Sequence, residues 1–243
     1  MAPDIYERLA KHLDNLPAGF PRTPSGVELR ILRRLFTPED AKLTIHLTLI
    51  PEEARVVARR AKIPVQEASR MLEEIAKRGL IVGIHRKGKP PLYMAEQFFV
   101  GFWEAQVNKL NRELVEDFEE YMAKWPDYSR VWQKAPQLRT IPVEKTISVQ
   151  AGVMPYERAE ALVRGHKAFA VSNCICRQER RVLGKGCDKP EESCMSFDGA
   201  ARSVVRLGRG RAISMEEALE ILKRADEAGL VLQPANAKDP LFL

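Results

Sequence analysis

The sequence has 243 residues, a formal net charge of +6, 45% hydrophobic residues and 30% charged residues. This composition is that of a globular protein and excludes an intrinsically disordered or collagen-like chain. No run approaches the roughly 18 apolar residues of a membrane-spanning helix, and the N-terminal residues lack the layout of a signal peptide. We therefore expect a cytoplasmic protein with one large domain or two small ones.

The N-terminal part of the chain has the pattern of a helical bundle. Apolar residues recur at helical spacing over residues 4–16, 27–36 and 38–50. Such spacing predicts one amphipathic helix in each range. Thr37 and Pro38 mark the start of the third helix, because threonine is a good N-cap and proline fits the first helical position.

The next segment predicts two helices joined by a tight turn and followed by a hairpin. The helices cover residues 51–61 and 65–78, and the strands cover 80–85 and 92–94. Gly79 fits the position just after the second helix. The order of helix, turn, helix and hairpin is typical of a winged helix, which we predict for this part of the chain.

Residues 100–122 predict one long helix with a continuous apolar stripe. This helix could pack on its own domain or form a seam between two copies of the chain, so a homodimer is one candidate assembly. Residues 124–138 have little periodicity and are interpreted as a linker. The predicted boundaries are therefore a helical, winged-helix domain at 1–123 and a second domain at 139–243.

The second domain has the pattern of a small α+β fold. Residues 139–150 are predicted as extended chain, 155–164 as a helix and 168–171 as a short strand. A capping box starts a final helix over 214–228. The predicted fold class of the whole chain is therefore α+β.

All four cysteines lie in one short segment of this second domain. They are Cys174, Cys176, Cys187 and Cys194. Four thiolates complete either a tetrahedral zinc site or a four-cysteine iron–sulfur cluster. Structural zinc sites usually contain Cys-x2-Cys pairs, so the Cys-x-Cys spacing here favours an iron–sulfur cluster and leaves zinc as the alternative. Disulfides are the poorer explanation in a chain without an export signal.

Three motifs surround these cysteines: Asn-Cys-Ile-Cys-Arg at 173–177, Gly-Cys-Asp-Lys-Pro at 186–190 and Cys-Met-Ser-Phe at 194–197. They resemble a winged-helix-containing 4Fe–4S, or ferredoxin-type, protein family of anaerobic bacteria and archaea. Further similarity at 26–32, 88–93, 213–218 and 229–231 extends the resemblance over nearly the whole chain.

The resemblance implies that the four cysteines bind one 4Fe–4S cluster. Members of that family commonly continue into a cysteine-rich ferredoxin module, whereas no cysteine follows Cys194 in this sequence. Only one cluster can therefore be built from the cysteines of this chain, and longer electron transfer would need a partner.

Three functions are compatible with these two domains. The leading one is electron transfer to or from a partner oxidoreductase through one 4Fe–4S cluster. The alternatives are a redox-sensing winged-helix transcription regulator and a zinc-stapled winged-helix DNA-binding protein. The sequence has no Gly-rich phosphate loop and no nucleophile-elbow motif, so an electron-transfer or binding protein is expected rather than an enzyme.

Basic residues of the predicted winged helix are candidates for contact with DNA or with a protein partner. These residues are Arg55, Arg59, Arg60, Arg70, Arg86, Lys87 and Lys89. The second helix also carries Glu67, Glu73 and Glu74, and acidic side chains near phosphates weaken binding. Docking of a protein is therefore the preferred interpretation of this surface, and DNA is the second.

Overall fold

The computed structural model of the chain describes residues 4–123 and 159–234. The chain divides into two compact units, Met1–Arg130 and Val131–Leu243, here called unit 1 and unit 2. Both units combine helices with a small sheet, which confirms the α+β class. In the two described ranges, no helix has the length and apolarity needed to cross a membrane.

Three of the sequence predictions concern residues outside these ranges. They are the linker at 124–138, the extended segment at 139–150 and the first residues of the helix at 155–164.

Unit 1 is mainly helical. Its elements are α1 (Ile5–Asp14), α2 (Val27–Leu35), α3 (Pro38–Thr44), β1 (Glu52–Glu53), α4 (Ala54–Ala61), α5 (Val65–Arg78), β2 (Ile81–Ile84), β3 (Leu92–Ala95) and α6 (Arg112–Met122). The three strands form an antiparallel sheet in the order β1-β3-β2. The predicted helices before residue 80 and the predicted hairpin are present, with shifted ends.

The connection between α3 and α4 differs from the prediction. Helix α3 ends at Thr44 rather than near residue 50, and the next helix begins at Ala54 rather than at residue 51. Pairing with β3 explains the difference, because Ala95 donates its N–H to the Thr48 oxygen at 2.7 Å and β1 lies alongside β3. Tertiary pairing has here overridden local helical preference.

The prediction of a single helix over 100–122 is wrong for the first half of that range. Phe98–Phe102 and Glu104–Gln106 form separate short turns, and α6 follows them. The side chain of Asn111 accepts the backbone N–H of Leu114 at 2.9 Å, which is how a good N-cap residue starts a new helix.

The apolar side chains of this irregular segment nevertheless reach the core of unit 1. Trp103 is fully buried and stacks on Phe118 of α6, with ring centroids 3.8 Å apart. The ring of Phe98 is tilted against both, with its centroid 6.0 Å from each. The segment therefore packs on its own unit, which is one of the two arrangements predicted from its apolar stripe.

Ion pairs join α2 to α6. Arg30 Nε lies 2.9 Å from one carboxylate oxygen of Asp117, and Arg34 Nε lies 2.7 Å from the other. Glu113 and Glu120 accept further N–H groups of the two arginines. The Asp117 side chain is only 9% exposed. Its burial is therefore compensated by two charged donors.

We expect Asp117→Ala to lower the free energy of unfolding of unit 1 by about 2 kcal/mol, since hydrogen bonds to charged groups contribute about 1.5–3 kcal/mol. Glu116→Ala on the same helix is the matched control. Its pair with Arg112 is exposed, and the loss should stay below about 0.5 kcal/mol. Hydrogen exchange of the α2 and α6 amides measures both changes, and equal losses would contradict the assignment.

Unit 2 contains a second three-stranded antiparallel sheet. Its described elements are α7 (Ala159–Arg164), β4 (Phe169–Asn173), α8 (Ile175–Val182), β5 (Glu192–Phe197), α9 (Asp198–Arg206), β6 (Gly210–Ile213) and α10 (Met215–Glu227). Strand β4 lies in the centre, in the order β5-β4-β6. Side chains of α7 and α10 form an apolar core with Phe169, Phe197 and Ile213 of the sheet.

Candidate metal centre

The four predicted ligands occur around the junction between β4 and β5. Cys174 directly follows β4 and is the N-cap residue of α8, and Cys176 lies in the first turn of that helix. Cys187 is in the connection from α8 to β5, and Cys194 is within β5. Because β4 and β5 are antiparallel, the end of β4 meets the start of β5. The topology therefore places Cys174 beside the strand that carries Cys194.

The register of the two strands is interrupted at this point. Ser172 pairs with Cys194, whereas the next residue of β4 pairs with Glu192, so one residue of β5 is skipped. Cys174 then donates its N–H to the main-chain oxygen of Glu191 at 2.7 Å. Such an irregularity re-aims side chains at the edge of a site.

Three of the four thiols are in contact through Cys174. The sulfur of Cys174 accepts hydrogen bonds from the thiols of Cys176 and Cys194. These two bonds, followed by the backbone N–H and the positive charge of Arg177, hold the pKa of Cys174 well below its ordinary value. The pKa of Cys194 is raised, chiefly because its thiol proton is hydrogen-bonded to Cys174. The fold thus stabilises a thiolate, the form in which cysteine binds metals.

Cys187 stands apart from this group. It is exposed, and within the described residues it forms no hydrogen bond with the other cysteines. No three histidine, cysteine or carboxylate side chains in 4–123 and 159–234 surround one point as a finished metal site. Cys187 therefore has to approach the other three sulfurs for all four to share a metal.

The segment before Cys194 is fixed to α8 by polar contacts. Gln178 Nε2 donates to the Glu191 carboxylate at 3.1 Å, and Arg181 forms an ion pair with the same group. Arg177 Nη1 donates to Ser193 Oγ at 2.8 Å. Charge counting along the sequence did not identify these pairings, because they join residues of two separate elements.

A second fixing point lies on the other side of the sheet centre. Arg211 of β6 binds the carboxylate of Glu192 through two bonds of 2.8 and 2.7 Å, and it also lies 2.6 Å from Glu217. Glu191 and Glu192 are therefore both occupied by arginines other than Arg177. The charge of Arg177 is left to act on the neighbouring sulfurs of Cys174 and Cys194.

Comparison with known proteins adds no assignment to this geometry. No family model, curated protein or solved structure matches the chain.

The donor set itself fits a thiolate-bound metal or cluster. Soft sulfur ligands select zinc or iron–sulfur clusters over hard cations such as magnesium or calcium. Cys176, Cys187 and Cys194 are exposed and Cys174 is half-buried, so the site opens to the surface of unit 2. The sulfur atoms are therefore accessible to a second protein.

The predicted contact residues of unit 1 fall into two groups. Arg55, Arg60 and Arg70 each form an ion pair with a glutamate, and Arg60 also binds the main-chain oxygen of His46. Arg60 therefore joins α4 to the segment before β1. The remaining four form no ion pair among the described residues and are exposed: Arg59, Arg86, Lys87 and Lys89.

Proposed function

We propose that unit 2 binds one 4Fe–4S cluster through Cys174, Cys176, Cys187 and Cys194, and that the chain transfers single electrons to or from a partner oxidoreductase. The observation that carries this proposal is the meeting of Cys174, Cys176 and Cys194 where β4 ends and β5 begins, with the side chains of Cys176 and Cys194 hydrogen-bonded to Cys174. The Cys-x-Cys spacing favours a cluster over zinc, because adjacent thiolates that close reach two different metal atoms more readily than one.

The residues around the sulfurs would stabilise the extra negative charge that a bound cluster gains on one-electron reduction. When bound, a four-cysteine cluster accepts and releases one electron at a time, at a potential set by its charge, hydrogen bonds and exposure. Arg177 supplies a backbone N–H to Cys174 and a positive charge to Cys174 and Cys194. Both interactions become more favourable when negative charge is added, so Arg177 supports the reduced state.

The test is the metal and labile sulfide content of the full chain purified without oxygen. We expect about four irons and four sulfides per chain, with an electron paramagnetic resonance signal after one-electron reduction. About one zinc and no sulfide would overturn the proposal and make the cysteines a structural staple. A redox titration then checks that one electron is exchanged per chain.

We further propose that α3, α4, α5 and the β1-β3-β2 sheet form a winged helix. Helices α4 and α5 are separated by a short turn in which Lys62 has the left-handed φ of 57°. The β2–β3 hairpin follows α5 directly and pairs with the short strand β1 that precedes α4. This arrangement presents α5 and the hairpin as neighbouring elements, and their charge determines which partner they accept.

A further inference from the structure

The tip of the β2–β3 hairpin is a cluster of cations without acidic partners in the described part of unit 1. The tip is defined here as residues 85–91, which contain Arg86, Lys87 and Lys89 and no acidic residue. All three cations are exposed, and none forms an ion pair among the described residues. Three positive charges thus lie within four consecutive positions.

Most other arginines of unit 1 are neutralised within the fold. The arginines paired with acidic side chains are Arg22, Arg30, Arg33, Arg34, Arg55, Arg60, Arg70, Arg78 and Arg112. The tip differs from these positions, because its three cations have no acidic partner among the described residues. A cluster of unpaired cations creates a positive potential that attracts anions.

The base of the hairpin is fixed to α5. Glu73 of α5 accepts hydrogen bonds at one carboxylate oxygen from His85 Nε2 at 2.9 Å and from the Tyr93 hydroxyl at 3.0 Å. His85 is the first residue of the tip and Tyr93 lies in β3 after it, so both arms of the hairpin are held. The three cations therefore lie on a hairpin whose base is held against α5.

Helix α5 is poorly suited to reading bases. Arg70 binds both carboxylate oxygens of Glu74, at 3.0 and 3.1 Å, and is thereby occupied. Glu67 is exposed one turn earlier, and its carboxylate repels phosphates. The available contacts are therefore those of the tip, whose flexible cations match phosphates rather than a particular base edge.

From these contacts we propose that the hairpin tip binds the phosphate backbone of duplex DNA without reading its sequence. This interaction is separate from the proposed electron transfer, because it uses unit 1 alone. Lysine and arginine contacts with phosphates release bound counterions, so log K falls with log salt by about 0.9 per phosphate contacted. Contact with three phosphates predicts a slope near −2.7, or a loss of roughly 40-fold in affinity between 50 and 200 mM salt.

The test is fluorescence anisotropy of a labelled 20-base-pair duplex of arbitrary sequence, titrated with the full chain at several salt concentrations. We expect Arg86→Ala/Lys87→Ala/Lys89→Ala to reduce affinity at least tenfold at 50 mM salt and to flatten the salt slope by 2 to 3. The matched control is Arg22→Ala/Lys42→Ala/Arg112→Ala, which removes the same charge from exposed ion pairs elsewhere in unit 1. It should retain most of the affinity.

Each other outcome overturns the proposal. Equal losses in the two triple variants would mean that only net charge matters, and absence of binding at 50 mM salt would exclude DNA. Tighter binding of poly-glutamate than of the duplex would identify an acidic protein as the partner. A preference of tenfold or more among duplexes of different sequence would show base reading and contradict a phosphate-only contact.

Discussion

Cys174→Ala should abolish metal binding, whereas Cys187→Ala should leave a measurable part of it. Cys174 is the thiol on which the hydrogen bonds of Cys176 and Cys194 converge, so its removal takes away the central sulfur and the stabilised thiolate together. Cys187 is exposed on the α8–β5 connection and forms no hydrogen bond with them in the described part of the chain. Three protein ligands and an exchangeable fourth can still hold a metal.

Iron, zinc and sulfide analysis of each variant after anaerobic purification measures this difference. Ser172→Ala is the matched control, because Ser172 pairs with Cys194 across the strands but supplies no thiol. It should bind as much metal as the unchanged chain. Full retention of metal by Cys174→Ala would remove Cys174 from the ligand set, and equal losses at Cys174 and Cys187 would show that all four sulfurs are equivalent.

The sequence was sufficient to predict the start of a helix where an N-cap residue marks it. Thr37 is the N-cap of α3 as predicted, and its Oγ1 accepts the Asp40 N–H at 3.1 Å. Ser214 is the N-cap of α10, and its hydroxyl accepts the Glu217 N–H at 3.1 Å, which is one of the two bonds of the predicted capping box. Such caps involve residues three positions apart, so the sequence alone contains both partners.

Elements that depend on distant partners were missed. Strands β5 and β6, and helices α8 and α9, were not predicted. Their residues mix charges, cysteines and small side chains without a clear period, and the two strands exist through their pairing with β4. Strand β6 begins inside the basic run at 206–211, whose composition gives no strand pattern.

The candidate site also combines features that the sequence predicts with features that depend on tertiary packing. The spacing of the cysteines was enough to nominate them, because ligand number is a local property of the sequence. The separate position of Cys187 and the binding of Glu191 by Gln178 and Arg181 were not predictable, since they depend on how α8 packs against the start of β5. The sequence therefore nominated the four thiols, and the fold brings Cys176 and Cys194 to Cys174.

Gly210→Ala should disrupt the sheet that positions these donors. A Cβ atom at Gly210 would lie 2.3 Å from the main-chain oxygen of Val171, 2.6 Å from Ser172 Oγ and 2.8 Å from a methyl carbon of Val204. The oxygen belongs to the central strand and cannot move away without breaking the β4–β6 pairing. Overpacking of this kind costs about 1–3 kcal/mol and occasionally more. Because the contact is with fixed backbone, we expect a loss of about 3 kcal/mol.

Hydrogen exchange of the β4 amides measures this loss, and the α6 amides of unit 1 serve as an internal reference. Gly199→Ala in α9 is the matched control, because a Cβ there meets no atom within 4 Å. It should be neutral or stabilising, since alanine favours a helix by up to about 1 kcal/mol over glycine. Gly210 pairs with Ser172, and Ser172 pairs with Cys194, so the strain reaches the proposed ligand Cys194 across one strand. Gly210→Ala should therefore lose bound metal together with β4 protection, and normal protection in this variant would show that β6 does not support the site.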